Sequence, residues 1–334
     1  METQRELTLL SVVAPLYNEA ETLGEFYRRV KAVVEDLPHE IVLVDDGSTD
    51  STAEQLRRLA EEDERLCVVT LSRNFGHQAA ITAGLDHACG DAVVMIDADL
   101  QDPPELIPEM LARWREGFDV VSAVREAREG ETFFKLATAR WFYGLFARLA
   151  QIDLQAQAAD FRLLDRAALD ALNAMRERNR FLRGMSVWVG FRQTSVPFQR
   201  EARFAGETKY TLRKMFRFSL DAIFSFSNVP LQMATLAGFI FSAIAFLAIP
   251  VAIGFRAAGQ FVPGITTVLL VVLLLGGIQL ISVGIIGEYL GRIYDEVKRR
   301  PLYVVRDRIN FQGSTDARGP AVPMALADES ASRS

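Results

Sequence analysis

The chain has 334 residues, half of them hydrophobic and 24% charged, with a formal net charge of -6. That length accommodates roughly two domains, and the acidic balance excludes a global basic footprint for nucleic acid. With only two cysteines and three histidines, neither a disulfide framework nor a Cys- or His-rich zinc site is available.

In chain order, residues 9–14 form a short apolar run closed by Pro15. Leu23, Phe26, Tyr27, Val30, Val33, Val34 and Leu37 then recur at helical spacing. Residues 41–44 read as a buried strand ending at Asp45-Asp46-Gly47, and residues 50–62 as a helix. A strand at 66–71, a helix at 77–88 and a strand at 92–96 follow, the last ending at Asp97-Ala98-Asp99. Residues 104–116 are a helix with proline in the first turn, and 120–124 a strand. This β-α-β-α order predicts a parallel sheet covered on both faces. Ligands bind beyond the carboxyl ends of such strands, which points to segments 15–19, 45–50, 72–78 and 97–102. No GxGxxG follows the first strand and no GxxxxGK[ST] occurs, so a dehydrogenase-type dinucleotide site and a P-loop lose their support.

The second half is a different material. No Asp, Glu, Lys or Arg lies between Asp221 and Arg256, or between Arg256 and Glu288, and each gap exceeds 30 residues. About 20 apolar residues span a bilayer as a helix, which predicts two membrane helices near 229–255 and 263–286. Arg213, Lys214 and Arg217 precede the first, and Arg292, Lys298, Arg299 and Arg300 follow the second. The positive-inside rule then places both ends in the cytoplasm. Residues 192–217 carry seven cations against Glu201 and Glu207, a local net charge of +5. This strip reads either as a topology signal and attraction to anionic lipid or as a basic loop for an anionic acceptor. Apolar periodicity over 212–224 and 132–149 predicts amphipathic helices in the interface. The small, polar stretch 313–334 reads as a disordered tail.

Two carboxylates one residue apart at a strand end, Asp97 and Asp99, suit Mg²⁺ or Mn²⁺ bridging a diphosphate, or equally a turn and helix cap. Asp46 is free of the capping that Ser48, Thr49 or Asp50 can supply, and its carboxylate can accept from a base or ribose. Asn18 is either a helix cap or part of a binding turn, and Tyr17 can stack on a base. His77 lies where it can approach a nucleotide.

Four motifs in order, Val13-Ala14-Pro15-Leu16-Tyr17-Asn18-Glu19, Asp45-Asp46-Gly47-Ser48, Ser72-Arg73-Asn74-Phe75-Gly76-His77-Gln78 and Asp97-Ala98-Asp99-Leu100-Gln101-Asp102-Pro103, resemble those of family 2 glycosyltransferases of the GT-A fold. The subgroup they resemble is the polyprenyl-phosphate glycosyltransferases, which includes bactoprenol glucosyltransferases and dolichol-phosphate mannose synthases. The likeness continues through Asp160-Phe161-Arg162 and Gly206-Glu207-Thr208-Lys209-Tyr210 and covers about residues 8–310. It implies an α/β fold, a GT-A Rossmann-like mostly parallel sheet with flanking helices, followed by interface helices and two transmembrane helices. The expected division is a catalytic domain at 1–200, a basic loop and interface helix at 200–227, a hairpin at 228–290, a cytosolic segment at 291–312 and the tail.

By position, the resemblance implies that Pro15, Tyr17, Glu19, Val44 and Asp46 hold the nucleoside, with Ala98 and Gln101 beside the diphosphate. Asp97 and Asp99 match the metal pair. Asp160 matches an aspartate near sugar and acceptor, where it acts as a base or as a positioning group. Arg200, Arg203 and Lys209 match a basic loop over the site, with Arg203 in a catalytic role, and Arg125 and Arg140 lie where the family binds lipid phosphate.

The implied reaction is inverting, metal-dependent transfer of a hexose from a nucleotide sugar, UDP-glucose first, to undecaprenyl phosphate at the cytoplasmic membrane face, serving cell-envelope glycan modification. The alternatives are a GDP-mannose-dependent mannose synthase and a processive polysaccharide synthase. The latter carries Gln-x-x-Arg-Trp, whereas Arg140-Trp141 here has Ala137 in the Gln position. The implied partners are a UDP-sugar, a polyprenyl phosphate and membrane lipid, with no nucleic acid. Tetramers occur in the family.

Overall fold

A computed structural model of the chain describes residues 5–125, 158–199, 229–258 and 264–311. They divide into two units, the first holding 5–125, 158–199 and 301–311 and the second 229–258 and 264–300.

The first unit alternates β1 (Leu10–Leu16), α1 (Leu23–Val34), β2 (His39–Asp45), α2 (Thr52–Glu62), β3 (Leu66–Leu71), α3 (His77–His87), β4 (Ala92–Met95), α4 (Ile107–Arg115) and β5 (Val120–Arg125). It continues with β6 (Ala158–Asp165), α5 (Arg166–Ala174), α6 (Leu182–Trp188) and β7 (Gln193–Phe198), and closes with β8 (Val305–Ile309). A short 3₁₀ turn at Pro104–Leu106 leads into α4, because each of Pro103, Pro104 and Pro108 withholds a backbone N–H and fixes φ. The strands form one sheet in the order β7-β5-β6-β4-β1-β2-β3-β8.

Burial explains this order. Every residue of β1 is buried, as expected of a strand with neighbours at both edges and helices on both faces. Leu23, Phe26, Val30 and Val34 repeat at three and four residues along α1 and are buried against the sheet. On α3, Gly84 allows near contact with β1 and β2: a Cβ there would lie 2.3 Å from Val13 Cγ1.

Strands β1 to β4 run parallel, as do β5 and β7, but β6 runs antiparallel to β4 and β5, and β8 antiparallel to β3. This is the mostly parallel sheet that the resemblance implies, and both antiparallel strands lie beyond the β-α-β alternation read over residues 9–124. β8 is also an element that periodicity did not single out. It is fastened by Ser72 N donating to Val304 O (2.9 Å), Tyr303 Oη to Asp86 Oδ2 (2.7 Å) and Asn310 Nδ2 to Ala60 O (2.7 Å).

The second unit holds α7 (Val229–Ala257) and α8 (Ile265–Val297), of 29 and 33 residues. Segments Val229–Ala248 and Leu274–Val297 have mean hydropathies of 1.9 and 1.5, with no part of either buried. At 1.5 Å per residue each helix exceeds about 40 Å, more than a bilayer's hydrocarbon core of about 30 Å. Both are long and apolar enough to cross a membrane.

Candidate active site

β1, β2 and β3 progress to one side of the sheet, and β4 then pairs on the other side of β1. The order reverses between β1 and β4, so a crevice opens beyond their carboxyl ends. A cavity of about 310 Å³ lies there, lined by Pro15 at the end of β1, Tyr17 and Glu19 after it, Asp46 after β2, and Asp97, Ala98 and Asp99 after β4. The start of α3 completes it with Asn74, Gly76, His77 and Ala80.

Its walls are built by side chain-to-backbone bonds. Asn18 takes φ 56°, a left-handed conformation that asparagine tolerates. It caps no helix. Its N–H donates to Ser48 Oγ (3.0 Å) and its Oδ1 accepts from Thr49 N (2.8 Å), which locks the β1 loop to the β2 loop. Glu19 Oε2 accepts from Thr22 Oγ1 at 2.7 Å. Asp46 spends both carboxylate oxygens on the backbone, accepting from Phe75 N (2.7 Å) and Gly76 N (2.9 Å). Burial raises its pKa, and these two amides pull against that rise. Gly47 has φ 68°, and a Cβ there would lie 2.6 Å from the Arg73 carbonyl carbon, so only glycine lets the two loops meet. Tyr17 is 45% exposed, a free aromatic face at the cavity mouth.

The chemistry gathers around Asp97. Ligand atoms of His77, Asp97 and Asp160 come within 4.8 Å of one another. His77 Nε2 stands 3.4 Å from Asp97 Oδ1, and that oxygen is buried with no hydrogen-bond partner. Burial pushes Asp97 up to about 6 against the attraction of His77, with repulsion from Asp160, Asp102 and Asp99 adding to the rise. A carboxylate surrounded by carboxylates, with an orphaned oxygen beside an imidazole, is a set of donors that could hold a divalent cation. Asp99 lines the same cavity and accepts from Gln101 N at 3.1 Å. The turn is set by Leu100 at φ 59°. Asp160 reaches the cluster from β6, and Arg183 on α6 holds its Oδ1 at 3.0 Å.

The other expected site residues lie as follows. Val44 is fully buried and faces Gly84 of α3. Gln101 is buried and is not among the residues that line the cavity. Arg125 Nη2 stands 3.5 Å from Asp102 Oδ1, the side chain of Asp102 being 1% exposed. Arg140, Arg200, Arg203 and Lys209, the two interface helices and the tail lie outside the described residues. Sequence reasoning missed Arg183, which stands in no motif and is brought to Asp160 only by the packing of α6 on β6. It weighed His77 against the nucleotide alone, although an imidazole opening the helix after β3 points to the same strand ends.

A mostly parallel α/β sheet with an acidic cleft at its switch point, preceding two long apolar helices, is the architecture of a GT-A glycosyltransferase. The model of Glycosyl transferase family 2 matches residues 11–172. The uncharacterized glycosyltransferase YkcC of Bacillus subtilis is 47% identical over 299 residues, 89% of this chain and 93% of that protein. The SfII prophage-derived bactoprenol glucosyl transferase of Shigella flexneri is 40% identical over 300 residues, 89% of this chain and 97% of that protein. Among solved structures, S. aureus TarS 1-349 in complex with UDP-GlcNAc is similar at a TM-score of 0.46 and 20% identity, covering 65% of this chain and 66% of that one. The chain belongs to glycosyltransferase family 2, and it is a glycosyltransferase.

Proposed function

We propose that this enzyme transfers a hexose, glucose from UDP-glucose first, to a polyprenyl phosphate such as undecaprenyl phosphate at the cytoplasmic face of a membrane, with inversion. The observation that carries this reading is the likeness to a protein named bactoprenol glucosyl transferase along 89% of the chain, both apolar helices included.

In this reading Tyr17 stacks on the base, with Pro15 and Glu19 beside it. Asp46 acts by holding the 75–76 amides, and so the nucleoside wall, in place. Val44 supports that wall from beneath α3. Asp97, Asp99 and His77 would hold Mg²⁺ or Mn²⁺, with Asp160 next to them and Ala98 and Gln101 toward the diphosphate. A divalent cation held by these residues would supply positive charge against that developing on the departing diphosphate. Arg183 fixes the Asp160 carboxylate toward the sugar. A phosphomonoester acceptor is mostly ionised at pH 7, its second pKa being about 6. It therefore needs no strong base, and positioning suffices as the role of Asp160. Arg125 and Arg140, with Arg200, Arg203 and Lys209, receive the lipid phosphate, and Arg125 leaves Asp102 to do so. Attack opposite the diphosphate turns an α-linked donor into a β-linked lipid phosphate.

Topology follows from connectivity. The first unit supplies strands from before α7 and, with β8, from after α8. One sheet cannot be divided by a bilayer, which supports placing both ends of the helical pair on the catalytic side, and the basic flanks favour the cytoplasm as that side.

The test is incubation of the detergent-purified chain with Mg²⁺ or Mn²⁺, undecaprenyl phosphate and a panel of labelled nucleotide sugars. A labelled lipid is expected from UDP-glucose. No labelled lipid from any donor refutes the proposal.

A further inference from the structure

A second cavity, of about 420 Å³, backs on to the acidic cleft at the start of α3 and shares Gly76 and His77 with it. Its lining has the opposite charge: Arg73, Arg178 and Arg180 face it, with Asn179 and Leu302, and no carboxylate is among its lining residues. Residues 76–79, the opening turn of α3, form another wall. No side chain caps that helix, so its positive end also faces the cavity.

Arg180 is the informative residue. It is 8% exposed, and its Nη2 donates to Leu172 O at 3.2 Å. Its Nε and Nη1 are buried with no hydrogen-bond partner. A guanidinium left so is costly unless an anion meets it. Asp86 is the carboxylate that acts on Arg180 most, and Glu177 acts less. Asp86 is already committed: Arg176 grips both of its oxygens at 2.8 Å, and the Tyr303 hydroxyl donates to it at 2.7 Å. Arg73 is held at the rim, its Nη1 donating to Asn74 O and its guanidinium 4.0 Å from the Phe75 ring centroid.

We propose that this cavity is a second anion site, which takes a phosphate group between Arg73, Arg178, Arg180 and the opening turn of α3. It is separate from the donor cleft and does not depend on the identity of the sugar or acceptor. The occupant is a free phosphate or the phosphomonoester headgroup of a lipid, since Leu302 stands two residues beyond Arg300, where the chain leaves the apolar helices. A bound phosphate would brace the 73–76 loop from behind. Asp46 already holds that loop from the front, so occupancy stiffens the nucleoside wall. Burial lowers Arg180 to about 10, and an anion beside it would reverse that shift.

The full chain in neutral-lipid nanodiscs is titrated calorimetrically with inorganic phosphate, and in a second arm is incorporated into discs containing phosphatidic acid in place of part of the phosphatidylcholine. Binding in either arm is expected, and which arm responds identifies the source. Arg178→Gln and Arg73→Gln, at partly exposed and exposed positions, should each weaken it by about tenfold, the scale of one charge-assisted hydrogen bond. Arg180→Lys should weaken it with an unchanged melting temperature. Asp97→Asn, in the other cavity, should leave it within about twofold. Absence of binding in both arms, equal affinity in the arginine variants, or stoichiometric displacement of phosphate by UDP with Mn²⁺ overturns the proposal. Labelled-sugar transfer, measured on the same preparation, fails or succeeds independently of this result.

Discussion

Asp63 and Asp97 are both carboxylates of the same sheet, at opposite ends of its strands. Asp63 follows α2 and precedes β3, at the amino end. Burial opposes its charge, yet Lys31 Nζ at 2.8 Å, the Tyr27 hydroxyl at 2.8 Å and the Arg65 amide at 3.0 Å more than compensate, so its pKa falls well below the usual carboxylate range. Asp97 follows β4 at the carboxyl end, among Asp99, Asp102 and Asp160, and is pushed up to about 6. The fold satisfies one carboxylate completely and leaves the other short of partners. The unsatisfied one is the one that the proposed function assigns to a ligand, in keeping with perturbed groups gathering at functional sites.

The largest effect that would break this contrast is on catalysis. Asp97→Asn is expected to cut turnover by about a thousandfold, the scale of a lost charge-stabilising group. The metal-free melting temperature should hold or rise, because an ill-matched buried charge is removed. A fall in stability with activity intact would reverse the assignment. Asp63→Ala should do the opposite and cost about 2–3 kcal/mol in denaturant unfolding, with three donors left unmatched, while the folded fraction retains wild-type turnover. Gly47→Ala should cost about 1–3 kcal/mol through its positive φ and the Arg73 backbone. It should also raise the KM for the nucleotide sugar more than it lowers kcat. Arg183→Gln should reduce kcat by about tenfold with little change in KM for the donor, as expected of a residue that orients another. Arg183→Lys should restore part of that loss.

The smallest effect is also the most diagnostic, because the two carboxylates carry opposite signs. Asp63 has a depressed folded pKa, so its stabilisation is present above the ordinary carboxylate value of 3.8 and is lost as pH falls below it. Asp97 has a raised one. In chelator-treated protein its contribution is present below 3.8 and is lost as pH rises through about 6. Unfolding measured across that range should lose its acid limb in Asp63→Asn and its shallow decline toward pH 6 in Asp97→Asn. Identical profiles in both variants would show that the two environments do not differ.

Much of the cleft was legible before any coordinates. Segments 15–19, 45–50, 72–78 and 97–102 were marked because alternation places the strand ends together, and all four contribute to the cleft. Asp97 and Asp99 stood out because two carboxylates one residue apart at a strand end need a partner. What stayed hidden depended on contacts remote in sequence. Asp46 reads as a ligand for a nucleoside, whereas its oxygens are taken by the amides of Phe75 and Gly76, 29 and 30 residues away. Asn18 reads as a cap or as part of a binding turn, and the contacts with Ser48 and Thr49 make it a tie between two loops.

The sequence by itself determined the two materials of the chain, the soluble α/β alternation and the long apolar helices, because periodicity and charge-free length are local properties. It also determined which residue types stand at the strand ends. Only the tertiary structure decided that β6 and β8 run against their neighbours, that Arg183 meets Asp160, and that residues 305–309 return to the sheet after the second apolar helix. It also separated the charges around α3, with carboxylates on one side of His77 and arginines on the other. Such pairings join residues far apart in the chain, and the energy that selects them comes from burying and partnering charges, which no local pattern encodes.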